Sequence, residues 1–189
     1  MKTKCLIYCT KGKNNKEKLH RCLDEEWRLQ DNNDGWVFSK DSIHFDGKIV
    51  AECEVETEKI ECRFEDDDYG GDYVYSLEKS EDVDFSVESC LDFDELNDYL
   101  KGENGYASHI SDLNVFDKPL ELSSNELLVK SYKYDNCHYL KRAPMNMCWV
   151  FHNGEWKVLI SIRPEWVCKI LNGEKKIEVR RKVLKGMVE

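Results

Sequence analysis

A short segment near the C-terminus places two cations and a carboxylate at alternating positions. Lys176-Ile177-Glu178-Val179-Arg180 predicts a strand with Ile177 and Val179 toward the core. Because successive side chains of a strand point to opposite faces, Lys176, Glu178 and Arg180 must share the other face. Two cations that flank a carboxylate are suited to line a ligand pocket. Alternatively, they form ion pairs that only satisfy the charges of the strand.

Other polar residues that suit ligand binding lie near the ends or edges of predicted strands. His109 and Ser111 alternate with Ile110, so both face away from one buried side. They either hydrogen-bond a base or phosphate or form a polar rim. A second group ends a strand beside a glycine turn, where backbone amides can meet an anion; its members are Tyr8, Thr10 and Lys11.

Basic residues are concentrated around the C-terminal segment. The run consists of Lys169, Lys175, Lys176, Arg180, Arg181, Lys182 and Lys185. Clustered cations are the electrostatic footprint of a phosphate-facing surface, but an ordinary solvated face has the same composition. Trp166 has helical spacing with Ile170, which favours a core position over a base-stacking platform.

The elements that must position these residues are most legible at the C-terminus. Residues 157–162 predict a strand, and Arg163-Pro164 opens a helix because proline suits the first helical turn. That helix is expected to end at Asn172-Gly173, where glycine favours the left-handed conformation. A second strand follows over 176–181. The candidate residues of this region therefore lie on a strand–helix–strand unit.

The rest of the chain is predicted to be mostly strands. Alternating or β-rich patterns favour strands over 4–10, 36–38, 47–60, 73–75 and 108–116. The last of these is expected to close before Pro119, because proline supplies no donor to a strand ladder.

Two helices are predicted outside the C-terminal region. One covers 92–101 and is capped by Asp92. The other is expected over 14–28, where apolar residues recur every four positions. The segment 65–71 is predicted to be a loop and 123–138 to be irregular.

The charge of the chain is segregated. Its 189 residues carry 28 Lys+Arg against 38 Asp+Glu, a net charge of −10, which excludes indiscriminate coating of nucleic acid through bulk charge. Between Glu52 and Asp98, however, nineteen acidic residues accompany only three basic ones. The remaining chain is therefore net positive and leaves a small basic cleft open. The acidic segment Glu52–Asp98 is itself a candidate surface for a protein partner, as a nucleic-acid mimic.

The cysteines indicate a reducing environment. The chain has nine, an odd number with no C-x-x-C pair, and several lie among apolar neighbours. Such cysteines act as small hydrophobic residues, so a cytoplasmic location is expected. Their spacing gives no support to a metal site, and neither a metal nor a cofactor is predicted. No signal peptide and no apolar run long enough to cross a membrane is visible, so no membrane contact is expected.

The C-terminal blocks resemble the signature of ASCH domains, which are small PUA-like β-barrels associated with RNA. SIRPEW at 161–166 is followed by ILNGEKKIEVR at 170–180, similar to the family's helix, G-x-K and strand ending in Arg. Four further blocks resemble small ASCH-type proteins of bacteria and their phages. They are LIYCTKG at 6–12, GKIVAE at 47–52, GYASHISDL at 105–113, and LKRAP at 140–144 leading to Cys148-Trp149.

The order of these blocks differs from the usual family arrangement, in which SIRPEW and IEVR come first. The order here resembles a circular permutation cut between the IEVR and IYCT strands. Residues 151–156 would join the former termini, with Asn153-Gly154 as the turn. The resemblance implies an α+β fold: a PUA-like (ASCH) mixed β-barrel with a few short flanking helices, circularly permuted. It implies one domain over 1–189, with an acidic insertion at about 61–98 and the permuted signature block at 157–181.

The resemblance implies that the chain binds RNA or a modified nucleotide in a cleft lined by the IEVR and YCTKG strands. The residues expected to contact this ligand are Arg163, Lys176, Arg180, Tyr8, Thr10, Lys11, His109 and Ser111.

Two alternatives stay open. In ASCH-type amidohydrolases that act on acetylated cytidine, a Lys after the Gly acts with a Thr further along the strand. Lys175 matches that Lys, but Glu178 occupies the Thr position, and a carboxylate cannot replace a hydroxyl nucleophile without changing the chemistry. As a nucleoside amidohydrolase or ribonuclease, the chain would use Lys175 and Glu178 as catalytic residues. The other alternative is a phage-type regulatory or counter-defence protein that binds a protein partner through its acidic surface.

Overall fold

The computed structural model describes residues 1–11, 17–21, 27–31, 43–67, 70–124, 127–130 and 137–188. Strands dominate this part of the chain, and three short α-helices and one 3-10 turn at Leu122–Ser124 accompany them. The strands are β1 (Lys2–Cys9), β2 (Glu17–Arg21), β3 (Trp27–Asp31), β4 (Ile43–His44), β5 (Lys48–Asp67), β6 (Gly70–Leu77), β7 (Gly105–Glu121), β8 (Leu128–Lys130), β9 (Cys137–Tyr139), β10 (Met147–His152), β11 (Glu155–Ile162) and β12 (Ile177–Arg180). The helices are α1 (Phe85–Ser89), α2 (Phe93–Leu100) and α3 (Pro164–Leu171).

The result is a mostly-sheet α+β fold with short helices, as predicted. Strands β1 and β11 pair in parallel, whereas β10–β11, β7–β12 and β5–β6 are antiparallel, so the larger sheet is mixed. Among the described residues this sheet is open, with β12 and β9 at the ends of its strand order. Strands β2, β3 and β4 form a separate small sheet.

The chain divides into two compact units. The first unit comprises Met1–Lys2, Val55–Ser111 and Glu174–Glu189, and the second comprises Thr3–Glu54 and Asp112–Gly173. Strands β5 and β7 contribute residues to both units. The acidic segment and the IEVR strand, which are far apart in sequence, therefore belong largely to the same unit.

The core of the first unit lies on one face of its strands. Its strand order is β12–β7–β5–β6, and the registers place Val179 opposite Ala107 and Ile60 opposite Leu77. Directly paired residues project to the same face, so these side chains meet. The buried apolar cluster consists of Ile60, Leu77, Leu96, Leu100, Ala107, Ile177 and Val179.

Helix α2 begins and ends where the sequence predicts. The Asp92 side chain accepts a hydrogen bond from the Glu95 amide at 2.8 Å, and the Glu95 carboxylate accepts one from the Asp92 amide at 3.1 Å. This reciprocal capping box satisfies two amides that have no partner within the helix. The helix ends at Lys101, which adopts the left-handed conformation with φ of 58°.

The second unit contains the parallel pair β1–β11 and the β10–β11 hairpin. The hairpin turns at Asn153 and Gly154, whose φ values of 52° and 83° are both positive, as a two-residue turn of this type requires. The turn predicted at Asn153-Gly154 is therefore confirmed. The core of this unit includes Leu6, Tyr8, Ile49, Leu127, Val150 and Leu159.

Four local predictions differ from the structure. The segment 123–138, predicted to be irregular, includes strand β8 and part of β9 among its described residues, because β8 pairs with β10 and β9 pairs with β8. The described part of 14–28 contains strand β2 rather than a helix, because β2 pairs with both β3 and β4 and such pairing overrides a weak helical periodicity. Strand β7 continues past Pro119 to Glu121. The described residues of the segment 65–71, which was predicted to be a loop, are strand, since β5 runs to Asp67 and β6 starts at Gly70. The strand predicted over 36–38 lies outside the described residues.

No group of three or more His, Cys, Asp and Glu side chains among the described residues is arranged to hold a metal ion. None of the helices in the described ranges has the length and apolarity needed to cross a membrane.

Candidate functional site

Strand β12 carries Glu178 and Arg180 and belongs to the first unit. It pairs antiparallel with β7, and Glu178 lies directly opposite Ser108. Ile177 and Val179 are buried in the apolar core, so the alternation of the strand turns Glu178 to the opposite face. This confirms the predicted orientation of the three central residues of the strand.

Glu178 lies between two cations. One of its carboxylate oxygens, Oε1, is 2.8 Å from a guanidinium nitrogen of Arg180, and the other, Oε2, is 3.6 Å from the ammonium of Lys175. Only 10% of the Glu178 side chain, 12% of the Arg180 side chain and 2% of the Lys175 side chain are exposed. The three charges are thus held together largely away from water.

Lys175 enters this arrangement from the turn that precedes β12. Its ammonium donates a hydrogen bond to the backbone carbonyl of Ser89, at the end of α1, at 2.5 Å. Burial lowers the pKa of Lys175 below its ordinary value, and the neighbouring carboxylate of Glu178 opposes this shift without cancelling it. Lys175 is therefore a buried amine whose proton is held less tightly than that of a surface lysine.

Two buried hydroxyl groups lie beside Glu178 on the neighbouring strands. Ser108 lies opposite Glu178 in β7, and its Oγ is 2.9 Å from Oγ1 of Thr57 in β5. Ser108 and Thr57 are only 2% and 5% exposed. We refer to Lys175, Glu178, Arg180, Ser108 and Thr57 as the Glu178 cluster.

The Glu178 cluster combines net positive charge with hydroxyl groups. With Lys175 protonated, two cations accompany one carboxylate. Opposite charges attract strongly where water is largely excluded, so an anionic group placed here would be attracted by both cations. The carboxylate and the two hydroxyls would then be available as hydrogen-bond partners for a polar ligand.

Lys176 does not join this cluster, although the strand pattern placed it on the same face as Glu178. It precedes β12, its side chain is 62% exposed, and its ammonium lies 3.9 Å from Glu88 Oε1. Its backbone amide donates to the carbonyl of Glu88 at 2.8 Å, and its carbonyl accepts from the amide of Ile110 at 2.8 Å. The backbone of Lys176 thus connects β12 with α1 and β7, while its side chain extends toward solvent.

His109 lies on the face of β7 opposite to that of Ser108, because successive residues of a strand alternate. It is opposite Ile177, and its Nε2 is 2.6 Å from Oε1 of Glu58. Glu58 also accepts hydrogen bonds from the Ser80 hydroxyl at 2.5 Å and the Lys79 amide at 2.6 Å. Burial alone would raise the pKa of Glu58, but these hydrogen bonds outweigh it and the net shift is downward. His109 is thus anchored to a buried carboxylate rather than to Glu178.

The remaining candidates have varied surroundings. Ser111 is half-buried at the last position of the first unit. In the second unit, Tyr8 is only 7% exposed and belongs to the apolar core, where burial raises the pKa of its hydroxyl. The Thr10 amide donates to the carbonyl of Ile162 at 2.8 Å, and Lys11 is exposed. The Arg163 side chain is 77% exposed and lies 3.7 Å from Glu165.

The sequence analysis missed Ser108, Thr57 and Glu58. Ser108 and Thr57 become neighbours of β12 only through the sheet register, which the sequence does not specify. A sequence signal does exist for Glu58. From Ala51 to Val55 the apolar residues of β5 occupy odd positions, whereas Ile60 occupies an even position, and Glu58 shares the phase of Ile60.

Comparisons of the chain with protein-family models, with curated proteins and with solved structures find no match.

Proposed function

We propose that this chain is an RNA- or modified-nucleotide-binding module of the PUA-like ASCH type, and that the Glu178 cluster holds an anionic group of its ligand. The observation that carries this proposal is the nearly buried arrangement of Lys175 and Arg180 around a single carboxylate. A phosphate is the anion that a nucleotide or an RNA strand would supply. A reducing, cytoplasmic location belongs to the same proposal.

Arg180 is the residue best suited to recognise a phosphate. Its planar guanidinium presents several N–H donors in a fixed fork, whereas a lysine presents a point charge. Glu178 engages one end of this fork at 2.8 Å, which fixes the orientation of the side chain. Recognition would then need little further ordering of Arg180 when the ligand binds.

The hydroxyl groups supply a second element of recognition. Ser108 and Thr57 share one hydrogen bond at 2.9 Å, and each hydroxyl has one donor and two acceptor sites. A sugar hydroxyl or a base edge that lies beside the bound anion would find partners there. The cluster therefore offers both charge and neutral hydrogen bonds, the combination that a nucleotide requires.

The resemblance of the sequence blocks adds to this proposal. The IEVR block, which resembles the ASCH signature, supplies Glu178 and Arg180 from one strand, and the preceding G-x-K supplies Lys175. The GYASHISDL block supplies Ser108. Two separate blocks of the resemblance thus contribute side chains to one cluster.

Binding to a panel of nucleic acids and nucleotides at low salt tests the proposal. We expect Arg180→Ala to weaken the binding of single-stranded RNA or nucleotide by about tenfold, the cost of one charge-assisted hydrogen bond. Arg63→Ala is the matched control, because Arg63 is 70% exposed in the same unit and pairs with Glu61 outside the cluster. If RNA, DNA and nucleosides all fail to bind at low salt, the proposal is wrong.

A nucleoside amidohydrolase or ribonuclease is the second candidate, and the lowered pKa of buried Lys175 favours it. An amine that loses its proton more readily is a better general base at neutral pH. Turnover of N4-acetylcytidine or of RNA that disappears in Lys175→Ala but persists in Lys176→Ala would support this activity. The absence of product with pure, folded protein would exclude it.

A further inference from the structure

The hairpin of β5 and β6 carries an apolar face that extends beyond the core. The register pairs Ile60 with Leu77 and, toward the tip, Phe64 with Tyr73. Because residues two apart in a strand share a face, all four side chains lie on the same side of the hairpin. Ile60 and Leu77 are buried, whereas Phe64 is 59% exposed and Tyr73 is 39% exposed.

The exposed rings of Phe64 and Tyr73 pack against each other and against the backbone. The Phe64 and Tyr73 rings pack edge to face with centroids 5.4 Å apart. The Tyr73 ring lies over Gly102, where a Cβ atom would come within 2.6 Å of it. The φ of +71° at Gly102 also makes any other residue there strained.

Helix α2 continues this face. Tyr75 donates a hydrogen bond to Asn97 at 2.9 Å and accepts one from the Gly102 amide at 3.0 Å. Its ring is 6.4 Å from that of Phe93, which is 47% exposed. We call Phe64, Tyr73, Tyr75 and Phe93 the aromatic face.

Rigid, exposed aromatic side chains are typical anchors of protein–protein interfaces. They bring large contact area at little cost in conformational entropy. Monomeric surfaces rarely leave such rings adjacent to each other without a partner. The aromatic face therefore has the properties of a docking surface.

The charge around the aromatic face determines which partner fits it. Exposed acidic residues lie on β5, on α2 and in the turn before α2: Asp66, which shares the hairpin face of Phe64, and Asp92, Asp94, Glu95 and Asp98. This density of negative charge repels nucleic acid, and it also repels a second copy of a chain whose net charge is −10. A cationic partner is attracted.

Arginine fits this surface better than lysine. A guanidinium stacks on aromatic rings and pairs with carboxylates at the same time. The first unit already contains a guanidinium over an aromatic ring: Arg181 lies 5.3 Å from the ring centroid of Tyr99 and also donates to the Tyr99 backbone carbonyl. Tyr99 belongs to α2, the helix that also carries Phe93.

We propose that the aromatic face is a docking surface for an arginine-rich segment of a partner protein. The partner's guanidinium groups stack on Phe64, Tyr73 and Phe93 while the surrounding carboxylates neutralise their charge. This inference does not depend on ligand binding by the Glu178 cluster.

Binding of a labelled oligo-arginine peptide, compared with an oligo-lysine peptide of equal length, tests the inference. We expect the arginine peptide to bind more tightly, and Phe64→Ala to weaken it by about fivefold, the value of one exposed cation–π contact. Tyr139→Ala, an exposed tyrosine at 48% in the second unit, should leave binding unchanged. Phe64→Leu keeps an apolar side chain but removes the ring, so it should also weaken binding. It replaces Phe64→Ala in the test if that variant does not fold.

Several results would overturn the inference. Equal binding of the two peptides, with no effect of either Phe64 variant, would mean that only the negative charge attracts them. A dimer in sedimentation that Phe64→Leu disrupts would identify a second copy of the chain as the occupant. RNA binding that Phe64→Leu weakens would identify nucleic acid instead.

Discussion

Glu178 has a different role from the two cations beside it. Lys175 keeps a hydrogen bond to the Ser89 carbonyl even without the carboxylate, but both cations would then remain buried together with no negative charge between them. Breaking a buried ion pair by removing one partner is costly for this reason. The carboxylate therefore supports the fold, and the two cations beside it are the groups that would attract an anionic ligand.

This difference gives a prediction for Glu178→Gln. The variant should lose about 3 kcal/mol of unfolding free energy, the usual cost of an uncompensated buried charge, and inorganic phosphate should stabilise it more than it stabilises the original protein. Urea unfolding with and without phosphate measures both effects. Glu61→Gln, at the exposed pair with Arg63, is the control. If phosphate stabilises neither protein, the cluster does not bind anions.

Glu58 gives a prediction for acid stability. Its pKa lies below the ordinary value of 4.5 in the folded protein, so its stabilising contribution is complete above about pH 4.5 and is lost as the pH falls through the lower folded pKa. Glu58→Gln should therefore be less stable at neutral pH but should lose less stability in acid. Thermal unfolding over a pH series measures this, and a variant with the slope of the original protein below pH 4.5 would contradict it.

Helix α2 shows which elements a sequence can specify. Its cap, first turn and end depend on residues within ten positions of each other, so local chemistry is sufficient to predict it. The strand β2 is the opposite case. The hydrogen-bonding partners that favour a strand there are β3 and β4. Neither partner is evident from the four-residue spacing of Leu19, Leu23 and Trp27.

The capping box gives a prediction for Asp92→Ala. Loss of the cap should reduce the unfolding free energy by about 1 kcal/mol, measured by urea unfolding. Asp98→Ala is the matched control, because Asp98 is an exposed aspartate in the same helix but not at its cap. Equal effects of the two substitutions would mean that the capping hydrogen bonds contribute nothing.

At the scale of the whole molecule, the acidic segment Glu52–Asp98 and strand β12 belong largely to the same unit. Much of Glu52–Asp98 and all of β12 belong to the first unit, although they lie on either side of most of the second unit in sequence. Any polyanion that reaches Arg180 must therefore approach a strongly acidic unit. Binding at this site has to rely on short-range contacts rather than on a broad positive field.

This arrangement predicts a weak salt dependence of RNA binding. The cluster presents two cations to phosphates, Lys175 and Arg180, so a plot of log affinity against log salt should have a slope of about −1.4 for single-stranded RNA. Filter binding or anisotropy over a salt series measures this slope. A slope several times steeper would place the RNA on the wider basic run that includes Lys182 and Lys185 instead.

The sequence was sufficient to predict the alternation of Glu178 with Ile177 and Val179 in β12, because it follows from the period of a strand. It was not sufficient to predict that Ser108 and Thr57 accompany Glu178, since that depends on which strands pair and in which register. It also could not show that Glu58 holds His109, because the two are 51 positions apart in the chain. The site is thus a product of strand pairing more than of any motif.

The most direct test of the central claim is a titration of the ¹⁵N-labelled protein with a short RNA or a nucleoside monophosphate, followed by NMR. The proposal predicts that the largest amide shifts occur at Thr57, Ser108, Glu178 and Arg180 and that they vanish in Arg180→Ala but persist in Arg63→Ala. Shifts that are absent from these residues, or that are unchanged in Arg180→Ala, would contradict ligand binding by the Glu178 cluster.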